Sequence, residues 1–478
     1  MSISPARTAA FDALHRVERD AAFATDALDA QLRRAAAKPA DAALATELTL
    51  GVLRWRRLLD FLIERFSGRR ADSLDLEVRL ALRLGTYQLR FLSRVPASAA
   101  VNESVELVKR ARKSSAAGLV NATLRRAARD EALRRSAEEL APPESSLGER
   151  LGLAWSHPTW LAERWLARFG EQATRALLAA NNRPPRLTAA VLNSKSVAET
   201  TSALRELGFQ PAPGRWLSTA VELGAPGPPG GARRALSRRG HRGTDKAWFV
   251  QDEASQMIPL LLDTHLGERV LDLCAAPGGK TARLVEQCRA GSGSVIACDV
   301  HVHRLRQMRT FLEGLGAGPS GQVALDATRP LPFGERFDRI LVDAPCSGTG
   351  TLARNPEIRW RLRAEDLPAL AEKQKLLLLQ ALERLAPGGR LVYSTCSLEP
   401  EENEKVVAAA LAMRPGVQIV SGEAALAPRL RPGVDARSLF DAHGNFRMLP
   451  WAHGTDGFFA AALEAGPRGQ AVTGGITA

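Results

Sequence analysis

Strands and helices alternate along the second half of this chain, and that alternation constrains the fold more than any other feature of the sequence. From residue 248 onwards, short aliphatic runs are separated by longer stretches in which apolar residues recur at helical spacing. Strands are predicted at 269–274, 294–298, 322–325, 338–342, 390–394, 418–420 and 457–462. Helices are predicted between them at 280–288, 301–315, 367–385 and 402–413. The pattern is typical of an α/β domain with a parallel sheet and helices on both faces. Such domains bind ligands at the carboxyl ends of their strands.

The 478 residues are too many for one ordinary core, and changes of pattern divide the chain into several regions. Helical periodicity in the first region is interrupted at Pro39, Gly68 and Pro96, which predicts a bundle of short helices. The predicted regions are an all-helical domain at 1–140, a small α/β module at 150–245 with a mobile basic loop at 224–243, the α/β domain at 246–465 and a disordered tail at 466–478.

The charge of the chain is strongly basic, with a formal net charge of +13. The surplus lies before the α/β domain: residues 1–245 contain 39 Lys and Arg against 26 Asp and Glu, whereas residues 246–478 contain 26 of each. Such a surplus favours a polyanionic partner such as nucleic acid. Several arginines of the first domain could form a basic surface or belong to ordinary solvated helix faces, and the sequence leaves both interpretations open: Arg54, Arg56, Arg57, Arg69, Arg70, Arg125 and Arg126.

Cysteine usage and hydropathy exclude several classes of protein. The chain has five cysteines, an odd number, and no Cys-x-x-Cys pair, which disfavours a disulfide framework and a structural zinc site. We therefore expect no metal. No apolar run approaches the roughly 20 residues that a membrane span needs, and the first residues lack the pattern of a signal peptide. These features predict a cytoplasmic protein without a membrane partner, and nothing indicates an obligate oligomer, so we expect a monomer.

A glycine-rich loop, Cys274-Ala-Ala-Pro-Gly-Gly-Lys-Thr281, follows the first predicted strand and opens a helix. Glycine lets the backbone turn sharply and approach a ligand closely. The loop is not a P-loop, because Cys274 occupies a position that must be glycine. Asp299, Asp326 and Asp343 end the second, third and fourth strands. Each alone could cap its own loop, but together with the glycine-rich loop they predict a nucleoside pocket, as in Rossmann-like methyltransferases.

Two cysteines are predicted to face the same pocket. Cys346 lies in Asp343-Ala-Pro-Cys-Ser-Gly-Thr-Gly350 and Cys396 in Tyr393-Ser-Thr-Cys-Ser397, after the fourth and fifth strands. These strands are neighbours in the usual methyltransferase order. A thiolate that adds to C6 of cytosine makes C5 nucleophilic enough to attack an electrophilic methyl group. The thiol needs a lowered pKa, for which Lys280 is a candidate source of positive charge.

These motifs resemble the two-cysteine RNA (cytosine-C5)-methyltransferases. The resemblance covers roughly residues 248–462. Besides the glycine-rich loop and the two cysteine motifs, it rests on four further segments: Phe249-Val-Gln-Asp-Glu-Ala-Ser255, Arg354-Asn-Pro-Glu-Ile-Arg-Trp360, Pro400-Glu-Glu-Asn403 and Asp456-Gly-Phe-Phe459.

The resemblance implies roles for individual residues. Cys396 is implied to be the nucleophile and Cys346 to help release the product, while Asp343 would hold the cytosine edge and Lys280 would line the site. The cofactor is implied to be S-adenosylmethionine. The residues implied to bind it are Cys274, Ala275, Ala276, Pro277, Gly278, Gly279, Lys280, Asp299, Arg304, Asp326 and Asp343.

The front of the chain is similar to the NusB-like helical domain. The resemblance is carried by residues 5–32, by Val101-Asn-Glu-Ser-Val-Glu-Leu-Val108 and by Leu119-Val-Asn-Ala-Thr-Leu-Arg125. His157-Pro-Thr-Trp-Leu161 also fits. The combination resembles the bacterial 16S ribosomal RNA (cytosine-C5)-methyltransferases of the Sun/Fmu type. It implies an RNA-binding first domain and, as substrate, 16S ribosomal RNA that is free or only partly assembled into the small subunit.

Three other functions are less consistent with these motifs. A DNA cytosine-C5 methyltransferase would use the cysteine of the Pro-Cys motif as nucleophile and would lack a catalytic Thr-Cys-Ser cysteine. A non-catalytic RNA-binding assembly factor would have no reason to fill every catalytic position. An amino-group methyltransferase would carry Asn-Pro-Pro-Tyr or Asp-Pro-Pro-Tyr where this chain has Asp343-Ala-Pro-Cys346.

Overall fold

The computed structural model describes residues 3–192, 196–224, 248–288 and 292–466. These residues form two compact units. The first, here the helical unit, comprises Met1–Pro184 and Leu352–Ala364; the second, here the sheet unit, comprises Pro185–Thr351 and Glu365–Ala478. The basic loop predicted at 224–243, apart from Gly224, and the predicted tail, apart from Gly466, lie outside the described residues. None of the helices in the described ranges is long and apolar enough to cross a membrane.

The helical unit begins with ten helices: α1 (Pro5–Arg19), α2 (Ala24–Arg34), α3 (Pro39–Arg54), α4 (Arg56–Ser67), α5 (Leu76–Phe91), α6 (Ala97–Arg110), α7 (Ala117–Arg129), α8 (Ala137–Leu140), α9 (Leu147–Ala154) and α10 (Thr159–Asn182). The predicted breaks have physical roles. Pro39 starts α3, Pro96 precedes α6, and Gly68 ends α4 at a φ of +70°. The apolar stripes of α1, α3 and α5 meet in one core that includes Leu14, Leu48 and Leu84.

Helices α9 and α10 pack within the helical unit, whereas the sequence analysis assigned the residues from 150 onwards to the small α/β module. Ser146 caps α9 through a capping box with Glu149, and Leu153 is buried against Leu58 and Leu62 of α4. Helical periodicity shows that such segments have an apolar stripe, but it does not show which core receives that stripe.

The segment Leu352–Ala364, which carries the whole Arg-Asn-Pro-Glu-Ile-Arg-Trp motif, also belongs to the helical unit. Arg359 is fully buried there. Its guanidinium donates to Asn182 Oδ1 at 2.8 Å and to the carbonyl oxygens of Asn181 (3.1 Å) and Ser156 (3.2 Å). The indole of Trp360 donates to the Leu53 carbonyl at 2.7 Å. The motif therefore ties this segment to the helical unit through buried hydrogen bonds.

The buried His157 leads us to expect that the folded protein loses stability in acid. Its ring is buried, Nδ1 lies 2.7 Å from the Trp155 carbonyl oxygen, and burial together with Arg359 lowers its pKa well below 6.5. The unfolded chain takes up a proton near pH 6.5 while the folded chain does not, so stability is full above that pH and falls below it. The loss should reach about 1.4 kcal/mol at pH 5.5.

The expected loss is checked by urea unfolding of wild type and His157→Gln at pH 7.5 and 5.5. The stability difference between the two should shrink in acid, and an unchanged difference would contradict it.

The sheet unit contains a small antiparallel sheet of four strands in the order β2-β3-β1-β4. The strands are β1 (Thr188–Val191), β2 (Ala212–Pro213), β3 (Ala220–Glu222) and β4 (Trp248–Val250), with α11 (Val197–Glu206) between β1 and β2. Leu204 of α11 is buried against Val191 and Val221. Strands β2, β3 and β4 have only two or three residues each, which is too short for a period-2 pattern to be visible in the sequence.

The large sheet has eight strands, seven of them in the order β10-β12-β9-β8-β5-β6-β7, with β11 paired to β12. Its strands are β5 (Arg269–Asp272), β6 (Ser294–Asp299), β7 (Gly321–Ala324), β8 (Phe337–Asp343), β9 (Leu385–Thr395), β10 (Val417–Val420), β11 (Phe446–Met448) and β12 (Phe458–Ala465). Its helices are α12 (Glu253–Met257), α13 (Gly279–Cys288), α14 (Val302–Gly314), α15 (Asp366–Glu383), α16 (Glu404–Ala412), α17 (Glu423–Leu426) and α18 (Pro450–His453).

Strands β5 to β9 are parallel, as predicted, and the late strands are antiparallel. Along β8, Leu341 packs into the core on one face while Ile340 and Val342 pack into the core on the other. Both faces are therefore covered, and the strand reads as a continuous apolar run. The carboxyl ends of the parallel strands β5 to β9 meet at one edge of the sheet, and the site residues predicted from strand ends lie at that edge.

Candidate active site

The glycine-rich loop joins β5 to α13 at the carboxyl edge of the sheet. The Ala275 amide donates to the Cys298 carbonyl at 2.7 Å, which holds the loop against β6. Gly278 has a φ of +105°, and a Cβ atom there would lie 2.6 Å from Met308 Cγ. A Cβ atom on Gly279 would lie 2.9 Å from Gln251 Nε2. Glycine is thus required at 278 by its backbone conformation and by the packing of Met308, whereas a Cβ atom at Gly279 would press against the end of the flexible Gln251 side chain.

Replacing Gly278 by alanine is expected to destabilise the loop. The substitution places an L side chain at positive φ and forces its methyl group against Met308, at a cost of about 1–3 kcal/mol. Thermal unfolding and calorimetric titration with S-adenosylmethionine should show a lower Tm and weaker binding. Gly318→Ala is the matched control, because a Cβ atom at Gly318 has open space around it. Equal effects of the two substitutions would contradict the prediction.

Asp299, at the end of β6, and Arg304, in α14, form an ion pair beside the glycine-rich loop, which Arg304 contacts through a hydrogen bond. Asp299 is 5% exposed, and its Oδ1 accepts from the His301 amide at 2.9 Å. Arg304 Nη1 lies 3.4 Å from Asp299 Oδ2, and Nη2 donates to the Ala276 carbonyl at 2.8 Å. Arg304 therefore connects the acidic strand end to the glycine-rich loop, and both predicted residues lie beside it.

Asp326 differs from the other predicted acidic residues, because it is exposed and bonds within its own turn. Its Oδ1 accepts from the Thr328 amide at 3.0 Å and from the Thr328 hydroxyl at 2.7 Å, and these hydrogen bonds lower the pKa of Asp326. The loop-capping role that the sequence left open for each acidic residue is present here. The other carboxylate oxygen lies 3.6 Å from Arg329.

Asp272, the last residue of β5, is a candidate site residue that the sequence reasoning missed. Its side chain is fully buried, and Oδ2 accepts from the Thr281 hydroxyl at 2.7 Å. No group in the described part of the chain hydrogen-bonds Oδ1. Burial raises the pKa of Asp272 to about 7, and the neighbouring charges of Asp343 and Asp299 act in the same direction. The sequence signal that could have identified Asp272 is an acidic residue at the end of the strand that precedes the glycine-rich loop.

Lys280 and Asp343 form an ion pair where α13 meets the end of β8. Lys280 Nζ lies 2.7 Å from Asp343 Oδ2, and the Ser394 hydroxyl donates to Oδ1 at 2.8 Å. Lys280 also lies over the Phe458 ring, 5.1 Å from its centroid. The predicted role of Lys280 as a charge that lowers a thiol pKa is therefore weakened, because Asp343 offsets its positive charge.

The two predicted cysteines meet at the ends of β8 and β9. These strands are parallel neighbours in which Asp343 pairs with Ser394, so the loops that follow start side by side. Cys346 Sγ and Cys396 Sγ are 3.3 Å apart, and both thiols are free. The contact with Cys396, burial and the nearby Glu402 carboxylate raise the pKa of Cys346 well above its usual value.

The other three cysteines lie in apolar surroundings. Burial raises the pKa of Cys288 to about 11 and that of Cys298 to about 12, and it also raises the pKa of Cys274. Thiols of this kind stay protonated and pack as small apolar groups. The pair of Cys346 and Cys396 is therefore distinguished from the other three cysteines by the contact between its two sulfurs.

Backbone contacts hold the two cysteine loops together. The Gly350 amide donates to the Cys396 carbonyl at 2.9 Å, and the Leu398 amide donates to the Thr349 hydroxyl at 2.9 Å. Gly350 also accepts from the Gly457 amide at 2.7 Å, and a Cβ atom on Gly350 would lie 2.3 Å from the Gly457 carbonyl oxygen. The Asp-Gly-Phe-Phe motif thus packs directly on the Pro-Cys-Ser loop, and neither glycine has room for a side chain.

The predicted basic surface of the helical unit is only partly present. Arg54 is buried and donates to the Ala353 carbonyl, Arg56 pairs with Glu18, and Arg57 donates to the His157 carbonyl. Interior hydrogen bonds therefore account for these three. Four others are exposed: Arg69, Arg70, Arg125 and Arg126. Arg125 and Arg126 line a shallow surface depression together with Ala122, Arg129 and Asp130.

Comparisons with known proteins cover nearly the whole chain. Residues 4–129 match the NusB family, residues 157–228 a ferredoxin-like domain of RsmF/B-like methyltransferases, and residues 259–464 the family 16S rRNA methyltransferase RsmB/F.

Individual relatives agree with the family models. The chain is 34% identical to the probable ribosomal RNA small subunit methyltransferase B of Synechocystis, over 96% of this chain and 99% of that protein. It is 35% identical to ribosomal RNA small subunit methyltransferase B of Pseudomonas putida, over 96% and 98%. The solved structure of PH0851 is 26% identical, covers 97% of this chain and 99% of its own, and superposes with a TM-score of 0.78. The chain belongs to the 16S rRNA methyltransferase RsmB/F family.

Proposed function

We propose that this protein transfers a methyl group from S-adenosylmethionine to C5 of a cytosine in 16S ribosomal RNA, through a covalent bond between Cys396 and C6 of that base. The observation that carries the proposal is the pair of thiols, 3.3 Å apart, at the ends of two neighbouring parallel strands beside a glycine-rich loop. The relatives named as ribosomal RNA small subunit methyltransferases support the substrate class.

The chemistry of the predicted cofactor site fits S-adenosylmethionine. The cofactor carries positive charge at its sulfonium and ammonium groups, and the carboxyls of Asp299 and Asp343 are near enough to Asp272 to contribute to the raised pKa of that residue. The buried Asp272 Oδ1 is available as a further acceptor. Asp299, at the end of β6, suits the two ribose hydroxyls. When bound, the cofactor supplies the electrophilic methyl group.

The remaining steps, which are addition to the base, binding of the base and release of the product, are carried out by residues of the chain. The Cys396 thiolate donates an electron pair to C6 of the cytosine, and the displaced C5=C6 π electrons make C5 nucleophilic. The Asp343 carboxylate, held by Lys280 and Ser394, keeps lone pairs with which it can accept from the cytosine amino group. After C5 has been methylated, loss of its proton restores the C5=C6 bond and expels the Cys396 sulfur. Cys346, in contact with that sulfur, assists its release.

The target base has to reach thiols that are partly buried at the edge of the sheet. A paired and stacked cytosine cannot do so, so the target lies in an exposed loop or is flipped out of its stack. RNA that is free or only partly assembled into the small subunit offers such a base more readily than RNA within the finished particle.

The proposal is tested by incubating the protein with undermethylated 16S ribosomal RNA and methyl-labelled cofactor, followed by nucleoside analysis of the digested RNA. We expect label in 5-methylcytidine at one position, and more label in free RNA than in assembled subunits. Label in an N-methylated nucleoside, or label in DNA instead of RNA, would overturn the proposal. Cofactor binding without labelling of any nucleic acid would favour an assembly factor.

A further inference from the structure

The carboxylate of Glu402 lies at the centre of a buried hydrogen-bond cluster behind the two cysteines. Glu402 is fully buried, and in the described residues its hydrogen-bond donors are uncharged. Oε1 accepts from the Ser347 amide at 2.8 Å and from Gln374 Nε2 at 2.9 Å. Oε2 accepts from the Ser397 hydroxyl at 2.5 Å and from the Ser347 hydroxyl. Four donors on one buried carboxylate make charge-assisted hydrogen bonds, which are the strong kind.

These donors come from the residues next to the thiols. Ser347 follows Cys346, and Ser397 follows Cys396. The two serine hydroxyls are themselves 3.0 Å apart. Gln374 of α15, besides its bond to Glu402, donates to the Pro345 carbonyl at 2.9 Å, on the other side of Cys346. Both cysteine loops are therefore fastened to one carboxylate at the position immediately after the thiol.

The backbone around Glu402 is fixed as firmly as its side chain. The Tyr393 hydroxyl, at the end of β9, donates to the Glu402 carbonyl at 2.6 Å. The neighbouring Asn403 donates from Nδ2 to the Ser397 carbonyl at 3.0 Å and accepts from the Thr395 hydroxyl at 2.5 Å. The Pro-Glu-Glu-Asn segment thus holds the loop after β9 through several buried hydrogen bonds, in addition to the backbone contacts between the two cysteine loops.

We propose that Glu402 is a positioning residue that sets the separation of the Cys346 and Cys396 sulfurs, so that release can follow addition without movement of the loops. The inference rests on the proposed function for its catalytic meaning, but the positioning itself can be measured without RNA. A displacement of about 1 Å between reacting groups costs roughly 10²-fold in rate. Glu402 touches neither the base nor the cofactor in this scheme, so it acts through the two serines.

The test uses phenylarsine oxide, a trivalent arsenical that binds two thiols at once and needs both sulfurs at a fixed short separation. We expect one arsenical per wild-type chain and loss of tight binding in Cys346→Ala. Glu402→Gln keeps the size of the side chain but removes its charge, and should bind the arsenical about tenfold more weakly, because the effective concentration of the second thiol falls. The number of thiols per Glu402→Gln chain that react with a monofunctional reagent should equal the number in wild type. Glu401→Gln is the control, since Glu401 pairs with Lys405 at 3.3 Å and should behave as wild type.

Methylation kinetics give the second readout. In Glu402→Gln the kcat should fall roughly 10²-fold while cofactor affinity by calorimetry stays unchanged, and Glu402→Asp should recover part of the rate. Should Glu402→Gln fail to fold, Ser347→Ala is the second variant. It removes one of the four hydrogen bonds to Glu402, the one donated by the Ser347 hydroxyl, and keeps the bond from the Ser347 amide, so it is expected to weaken both readouts to a lesser degree. Unchanged arsenical binding in folded Glu402→Gln would overturn the positioning role. Weakened arsenical binding in a protein that methylates no RNA would uphold the positioning role and refute the proposed function.

Discussion

Replacement of Cys396 by alanine is expected to abolish methyl transfer to 16S ribosomal RNA while leaving cofactor binding intact. In the proposed mechanism, C5 of cytosine becomes nucleophilic only after the Cys396 thiolate has added to C6, and Cys346, the thiol in contact with Cys396, acts only in release. Removal of an enzyme's nucleophile lowers kcat by roughly 10⁴-fold or more. Labelled methyl transfer under single-turnover conditions measures the loss, and calorimetric titration with S-adenosylmethionine shows whether the pocket survives.

The control for this experiment is Cys288→Ala. Cys288 is another free cysteine, buried at the end of α13, and burial raises its pKa to about 11, so its thiol has no chemical role in the proposal. This variant should keep most of its activity. If Cys396→Ala retained activity while Cys346→Ala lost it, the Pro-Cys cysteine would be the nucleophile and the DNA-type mechanism would have to be reconsidered.

The placement of the site could be predicted from the sequence because it depends on local patterns. The strands that end at Asp343 and Thr395 have clear apolar runs, and two motifs with cysteines follow them directly. Since neighbouring parallel strands end at one edge of a sheet, the strand order was enough to bring the two thiols into one pocket. The observed Sγ–Sγ distance of 3.3 Å agrees with that prediction.

The features that could not be predicted depend on contacts between distant parts of the chain. Glu402 interacts with Ser347, 55 positions away, and with Gln374, 28 positions away. A buried carboxylate surrounded by uncharged donors leaves no local pattern, because glutamate is ordinarily a surface residue. Likewise, nothing near Arg359 in sequence indicates that its partners are Asn181 and Asn182 of α10.

The basic charge of the first domain was a poor predictor of which arginines lie on the surface. Arg54 and Arg57 were candidates for a surface that binds RNA, yet both donate to backbone carbonyl groups inside the helical unit. A count of basic residues indicates that a chain suits a polyanion, but it does not separate arginines that bind phosphate from those that satisfy buried carbonyl groups. Of the arginines considered, Arg69, Arg70, Arg125 and Arg126 keep the exposure that an RNA contact requires.

Replacement of Cys346 by alanine is expected to trap the protein on its RNA. Addition of Cys396 to C6 needs no help from Cys346, so the covalent adduct should still form and the methyl group should still be transferred. Release is different, because in the proposal it depends on a second thiol 3.3 Å from the departing sulfur. Burial and the neighbouring groups raise the pKa of Cys346, so this thiol is protonated at neutral pH and can hydrogen-bond to the leaving sulfur. Loss of such assistance slows turnover by roughly 10²–10⁴-fold.

The adduct is measured as a protein–RNA band that survives denaturing electrophoresis and disappears after nuclease treatment. It should accumulate in Cys346→Ala, remain scarce in wild type, and be absent from the double variant Cys346→Ala, Cys396→Ala. One methyl group per trapped RNA would place the block after methyl transfer, as the mechanism requires. An adduct without label would instead place Cys346 before transfer, and absence of any adduct would remove its assigned role in release. Because the thiols are in contact and their loops share one buried carboxylate, the same substitution in the Glu402→Gln background should add little to the slow turnover already expected there.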